Sequence, residues 1–199
     1  MAYIALSTLA CLGVAAFLMV SHELVKVLVY RCCRQKGFAG KNSPLKFWRY
    51  IDPMGLILSV VCSVPVSKPY FFRIREKKTN LFLGIAGLLF LSMVFVASIF
   101  VLRNVYGGYE GLKAIALLSW NKRFPAMLFE YMAMLSMGML IANLFPVSTF
   151  DMGLIIAGCS AQFYLNIIKA DGVIKMIFVL TLLLNVIGYA ELRLIGLLL

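Results

Sequence analysis

Ser21-His22-Glu23-Leu24-Val25-Lys26 lies near the end of the first long apolar stretch of the chain, and the rest of the sequence is interpreted around it. His22 and Glu23 are ionisable groups inside a hydrophobic segment, where charge is costly and such side chains are usually functional. His22 is also the only histidine in the 199 residues. Glu23 and Lys26 are three residues apart, so they share one helical face and can form an ion pair.

The composition indicates an integral membrane protein. Hydrophobic residues make up 63% of the chain and charged residues only 14%, whereas a soluble domain is roughly half apolar. The net charge of +11 is concentrated beside the apolar stretches, which is typical of orientation-setting loops in contact with anionic membrane lipid. Nucleic acid is not expected as a partner. The five scattered cysteines indicate no disulfide framework.

Length and charge predict an all-α membrane protein with about five transmembrane helices and one re-entrant segment, in a single domain over residues 1–199. A tight turn is predicted at Lys169–Gly172, between the last two helices. The five helices are predicted at about 2–30, 81–102, 125–144, 151–168 and 173–189.

Two basic clusters set the predicted orientation. Six cations and no acid lie between residues 31 and 50, and a second cluster covers residues 68–78. The positive-inside rule places both loops in the cytoplasm and the N-terminus outside. Counting crossings from there brings Asp151 to the same face of the membrane as His22.

The re-entrant segment is predicted from the apolar stretch 56–66, which is too short to cross a bilayer and contains Pro65. Both of its flanks are basic, so it is expected to enter the membrane and return on the same side. Irregular backbone at that depth must be covered by protein or line a wet cavity, so a cavity is predicted beside it. Asp52, which precedes Pro53, is interpreted as a turn residue.

A histidine in place of Lys26 would give His-Glu-x-x-His, which presents two imidazoles on one helical face to zinc, with Glu as general base. The chain resembles, at four blocks in order, the site-2 protease family of intramembrane zinc metalloproteases, in its short form without a PDZ domain. His22-Glu23 is similar to the His-Glu-x-x-His helix of that family. Residues 42–55, with Pro44-Leu45-Lys46 and Asp52-Pro53-Met54-Gly55, look like its Asn-Pro-Leu…Asp-Pro-Ile-Gly segment. Residues 64–69 look like its Pro-Val-Pro-Val-Asn-Pro stretch, and residues 143–153 look like its Asn-Leu-Leu-Pro…Leu-Asp-Gly-Gly segment.

The resemblance implies a site-2 protease-like core in a bacterial-type plasma membrane, with zinc as cofactor and a transmembrane segment as substrate or partner. It implies that His22 and Asp151 are zinc ligands, that Glu23 is the general base, and that Asn143 and Pro146 belong to the substrate-binding region. Lys26 stands where the second imidazole is required, and a protonated lysine has no lone pair to give. The family also carries Ala-Gly-Pro followed by a polar Asn, where this chain has Leu88 and Leu91.

These departures favour a degenerate, catalytically impaired homologue that binds transmembrane segments or a partner protein. His22 and Glu23 would then be an inherited polar pair kept solvated by the cavity, with Glu23 paired to Lys26. An active intramembrane metalloprotease remains an alternative, with Cys62 or Cys159 as an unusual third ligand. Asp151 is equally interpreted as a helix N-cap or first-turn acid. A small transporter or lipid-handling protein, with Glu23, Lys26 and Asp151 lining a polar path, is the third alternative.

Overall fold

The computed structural model describes residues 2–33, 47–69, 76–116 and 120–199, and within these ranges the protein is helical and has no strand. Four of the six cations between residues 31 and 50, two of the five cations in 68–78 and the Pro44-Leu45-Lys46 motif lie outside the described residues. A 3₁₀ turn occupies Phe47–Arg49. The helices, in chain order, are α1 Ala2–Cys33, α2 Pro53–Cys62, α3 Lys77–Asn104, α4 Gly108–Ala116, α5 Trp120–Asn143, α6 Asp151–Cys159, α7 Ala161–Leu183 and α8 Val186–Leu198.

Three helices in the described ranges, α1, α3 and α5, are long and apolar enough to cross a membrane, and α7 with α8 makes a fourth span if the bent pair counts as one. The all-α membrane architecture is therefore confirmed, whereas the predicted number of five spans is not. Outer faces carry large exposed apolar side chains, among them Met93 on α3 and Leu183 on α7, which are 70% and 77% exposed. Such faces are expected where lipid replaces water as the solvent.

The turn predicted at Lys169–Gly172 is wrong, because α7 runs through these residues without interruption. Asp171 and Lys175 form an i,i+4 ion pair of 2.6 Å on this helix, and the Asp171 carboxylate also accepts the backbone N–H of Ser148 at 3.1 Å. The chain bends instead at Asn185, where φ is +52° and α8 leaves α7 at 58°. Asparagine tolerates this left-handed conformation better than most residues do.

Helix α2 and the segment after it return to their starting point. The backbone N–H of Lys68 donates to the Tyr50 carbonyl at 3.0 Å, which closes the ends of the excursion. Gly55 makes the return possible, since a Cβ there would lie 2.1 Å from the Val66 carbonyl oxygen. Asp52 is the N-cap of α2 and accepts the Met54 N–H at 3.1 Å. The predicted turn residue thus starts a helix, as Asp before Pro often does.

The core is built where α1, α3 and α5 meet. Leu18 of α1, Leu91 of α3 and Leu135 of α5 are almost completely buried in one apolar cluster. Helix α6 packs closely on α3, because Gly84 brings the α3 backbone against the backbone of Asp151 and Ile155. Small residues allow this close approach of helices in membrane proteins. As a result, the start of α6 lies beside the part of α1 that carries His22 and Lys26.

Candidate functional site

The structure brings His22 and Asp151 together, as the crossing count predicted. His22 Nε2 lies 2.7 Å from Asp151 Oδ2, although the two residues are far apart in sequence. Lys26, one turn further along α1, donates to the other carboxylate oxygen of Asp151 at 3.1 Å. The 129-residue separation between His22 and Asp151 is closed by α3, which packs against both α1 and α6.

Glu23 joins the same group from the α1 side. Its Oε1 lies 2.5 Å from Lys26 Nζ, so the ion pair predicted from the i,i+3 spacing is confirmed. The same oxygen lies 3.3 Å from His22 Nδ1. We call the four side chains of His22, Glu23, Lys26 and Asp151 the charge cluster.

Ser67 supplies a hydroxyl to the charge cluster from the segment that follows α2. Its Oγ donates to Glu23 Oε1 at 2.8 Å and lies 3.4 Å from His22 Nδ1. The sequence places Ser67 inside one of the family-like blocks but gives it no role. The return of the chain from α2 to Lys68 is what carries this hydroxyl to α1.

Gly87 of α3 forms the wall of the cluster. A Cβ at this position would lie 2.2 Å from Asp151 Oδ2 and 2.8 Å from His22 Nε2. Only a glycine therefore lets α3 close over the bond between His22 and Asp151. Gly87 belongs to the stretch in which the family carries Ala-Gly-Pro, but the sequence analysis gave this glycine no role.

Asn143 holds Asp151 in place. Its side-chain oxygen accepts the Asp151 backbone N–H at 3.4 Å, and its amide nitrogen donates to the Met139 carbonyl at 2.9 Å. Asp151 itself occupies the first turn of α6, where a carboxylate is favoured by the helix dipole. Pro146 is exposed. The predicted substrate-binding residues thus separate into one buried positioning residue and one surface residue.

The charge cluster is buried. Exposed fractions are 0% for His22 and Asp151, 1% for Glu23 and 4% for Lys26. The expectation that a cavity keeps the polar pair solvated is therefore wrong, because Lys26 and Ser67 fill the space beside Glu23. Both ring nitrogens of His22 face carboxylate oxygens, which matches the two donors of an imidazolium. Two cations then balance two anions, the condition under which buried charge is tolerated.

The donor set does not fit a tetrahedral zinc site. Zinc ligands at roughly 2.1 Å from the ion are separated by roughly 3.4 Å, whereas His22 Nε2 and Asp151 Oδ2 are 2.7 Å apart in a direct hydrogen bond. The Lys26 ammonium lies on Asp151 Oδ1, where it adds a positive charge and no lone pair. In the part of the chain that the structure describes, no three His, Cys, Asp or Glu side chains are arranged to hold a metal ion.

Neither cysteine considered as a third ligand belongs to the charge cluster. Cys62 donates to the Leu182 carbonyl at 3.8 Å, at the end of α2. Cys159 is exposed at the far end of α6, eight residues from Asp151, or about 12 Å along the helix axis. Leu91 packs in the apolar core.

Comparisons of this chain with protein-family models, with curated proteins and with solved structures found no match.

Proposed function

We propose that this protein is a non-catalytic, site-2 protease-like membrane protein that acts by binding a transmembrane segment or a membrane partner. The observation that carries the proposal is the position of the Lys26 ammonium, 2.5 Å from Glu23 and 3.1 Å from Asp151. It occupies the carboxylates that the resemblance assigns to base catalysis and to metal binding. The family resemblance favours a bacterial-type plasma membrane, and the positive-inside rule favours an N-terminus outside.

Peptide hydrolysis by a zinc metalloprotease needs a metal-bound water and a free carboxylate that takes the proton of this water. In this chain Glu23 accepts from both Lys26 and Ser67, and Asp151 accepts from both His22 and Lys26. The bond between Glu23 and Lys26 lies within α1. The other bonds join α1 to Ser67 or to Asp151 at the start of α6. The former catalytic centre would therefore stabilise the packing of α1 against α6, and binding would be left to the apolar surfaces.

Zinc content tests the disabling role of Lys26. Full-length protein is purified in detergent beside Lys26→His and beside Lys113→His, a matched variant that adds a histidine on the exposed helix α4. We expect stoichiometric zinc in Lys26→His only, lost again when Asp151→Asn is added, because i and i+4 imidazoles share a helical face. Stoichiometric zinc in the unaltered protein would contradict the proposal.

Proteolysis is tested with a helical membrane substrate in proteoliposomes. We expect the unaltered protein and Glu23→Ala to show the same background level of cleavage. Cleavage by the unaltered protein that is lost in Glu23→Ala would contradict the proposal. Binding is tested in the same vesicles with an apolar helix that carries a photoreactive side chain, and crosslinking should saturate and be competed by the unlabelled helix. Crosslinking that rises linearly without saturation would leave the protein without its proposed binding function.

A further inference from the structure

A second ionisable group lies buried in the bundle, away from the charge cluster. Glu191, in the middle of α8, is 0% exposed. Neither of its carboxyl oxygens has a hydrogen-bond partner within the described residues. The buried face of α8 consists of Ile187, Gly188 and Glu191, so this side chain is directed at protein and not at lipid.

Gly138 of α5 makes the space for the Glu191 carboxyl. A Cβ on Gly138 would lie 2.3 Å from Glu191 Oε1 and 2.4 Å from the carbonyl oxygen of Ser63. The carboxyl oxygen and the carbonyl oxygen are therefore neighbours beside the same point of α5. Both are hydrogen-bond acceptors, and a stable contact between them requires a proton or a cation in between.

Ser63 presents its carbonyl because α2 ends there. Its φ of +58° is left-handed, and its backbone N–H closes the helix on the Leu58 carbonyl. Because Ser63 follows the last residue of α2, no backbone N–H of that helix is available to its carbonyl oxygen. A carboxylic acid proton on Glu191 would provide the hydrogen-bond donor that the Ser63 carbonyl oxygen lacks.

The surroundings of Glu191 offer no basic partner in the described parts of the chain. On α2 its titratable neighbour is the Cys62 thiol, which donates to Leu182 of α7. On α5 the charged residue nearest in sequence is Glu130, eight positions from Gly138 and so about 12 Å along the axis. Arg193 on α8 and Arg103 on α3 are exposed. A single carboxyl is also a poor site for a divalent metal, which needs several oxygen ligands.

We propose that Glu191 is a proton-binding site of the helix bundle: its carboxyl holds a proton at neutral pH and donates it to the Ser63 carbonyl oxygen. The hydrogen bond fastens α8 to the end of α2. Ser63 lies four residues before Ser67, so the same short segment connects this proton site to the charge cluster. Loss of the proton would place a bare anion against a carbonyl dipole in an apolar interior, which is unfavourable.

Infrared difference spectroscopy on the full-length protein in detergent tests the proposal. At neutral pH the unaltered protein should show the carbonyl absorption of a neutral carboxylic acid, shifted on deuteration and absent from Glu191→Gln. Glu110→Gln, the same substitution at an exposed position, should retain the absorption. An absorption that is unchanged in Glu191→Gln would overturn the proposal. An absorption that is present only in sodium-free buffer would also overturn it, because a metal cation would then occupy the site.

Stability against pH gives a second measurement. The unfolded chain releases this proton in mildly acidic solution, and the folded protein keeps it, so stability contributed by Glu191 is lost as pH rises. Between about pH 6 and about pH 8 the folding constant of the unaltered protein should fall by up to about 100-fold relative to Glu191→Gln. Identical pH dependence of the two proteins would refute proton binding. Should Glu191→Gln not fold, the absorption of the unaltered protein in sodium buffer decides the question.

Discussion

Replacing Lys26 by methionine removes the cation that joins the two carboxylates of the charge cluster. The side chain becomes one atom shorter and loses its charge. Glu23 Oε1 loses a contact of 2.5 Å and Asp151 Oδ1 a contact of 3.1 Å. His22 alone then faces two buried carboxylates, and one negative charge is left unbalanced.

The cost follows from these contacts. Each lost bond to a charged group contributes about 1.5–3 kcal/mol, but Glu23 keeps the Ser67 hydroxyl and Asp151 keeps the imidazole. One carboxylate can also take up a proton, which limits the penalty. We therefore expect Lys26→Met to lower the free energy of unfolding by about 3–5 kcal/mol, the range for a buried pair that has lost one partner.

Unfolding in mixed detergent micelles measures this loss, and the chain provides a matched control. Lys113 on α4 is also three residues after a glutamate and lies 3.2 Å from Glu110, but that pair is solvent-exposed. Lys113→Met should therefore leave stability unchanged within error. Adding Asp151→Asn to Lys26→Met should recover part of the loss, because it removes the unbalanced charge. If Lys26→Met were as stable as Lys113→Met, the charge cluster would not stabilise the fold and the reasoning would be refuted.

The remaining predictions concern the walls of the cluster. Gly87→Ala should destabilise the protein by about 1–3 kcal/mol, because its methyl group would overlap Asp151. Gly13 is a helical position with open space around it, so Gly13→Ala should stabilise the protein by up to about 1 kcal/mol. Equal stability of the two variants in thermal unfolding would contradict the close packing of α3 at Gly87. Ser67→Ala should cost about 1.5–3 kcal/mol because it removes a hydroxyl donor from a buried carboxylate; a loss that persists in a Glu23→Gln background would show that the hydroxyl acts elsewhere.

The helices could be predicted from the sequence where apolar runs are long and charge patterns are simple. The prediction failed at Lys169–Gly172, because a glycine beside charged residues is also compatible with a helix when an i,i+4 pair such as Asp171–Lys175 supports it. The true bend at Asn185 gave no stronger signal than any polar residue in an apolar run. Tertiary packing decides such positions, and local composition does not record it.

The charge cluster was predictable in part, for a related reason. The i,i+3 pairing of Glu23 with Lys26 is fixed by helix geometry, and the distant Asp151 could be added because membrane topology restricts which ends of helices can meet. Ser67 and Gly87 were not predictable as neighbours, since their positions depend on how α2 returns and on how closely α3 approaches. Glu191 was missed because a single acid in a C-terminal apolar helix has no partner in the sequence to draw attention to it.

Lys26 and Glu191 represent two different ways in which this bundle holds charge-bearing groups out of water. At the charge cluster a lysine and an imidazole neutralise two carboxylates, so the bonds persist as long as all four side chains are present. At Glu191 no basic side chain faces the carboxyl in the described residues, and the proposed proton takes the place of such a partner. The first arrangement is closed to solvent ions and suits a permanent contact between α1 and α6. The second depends on proton availability, so any response of this protein to pH should begin at the contact of α8 with α2 and reach the cluster through Ser67.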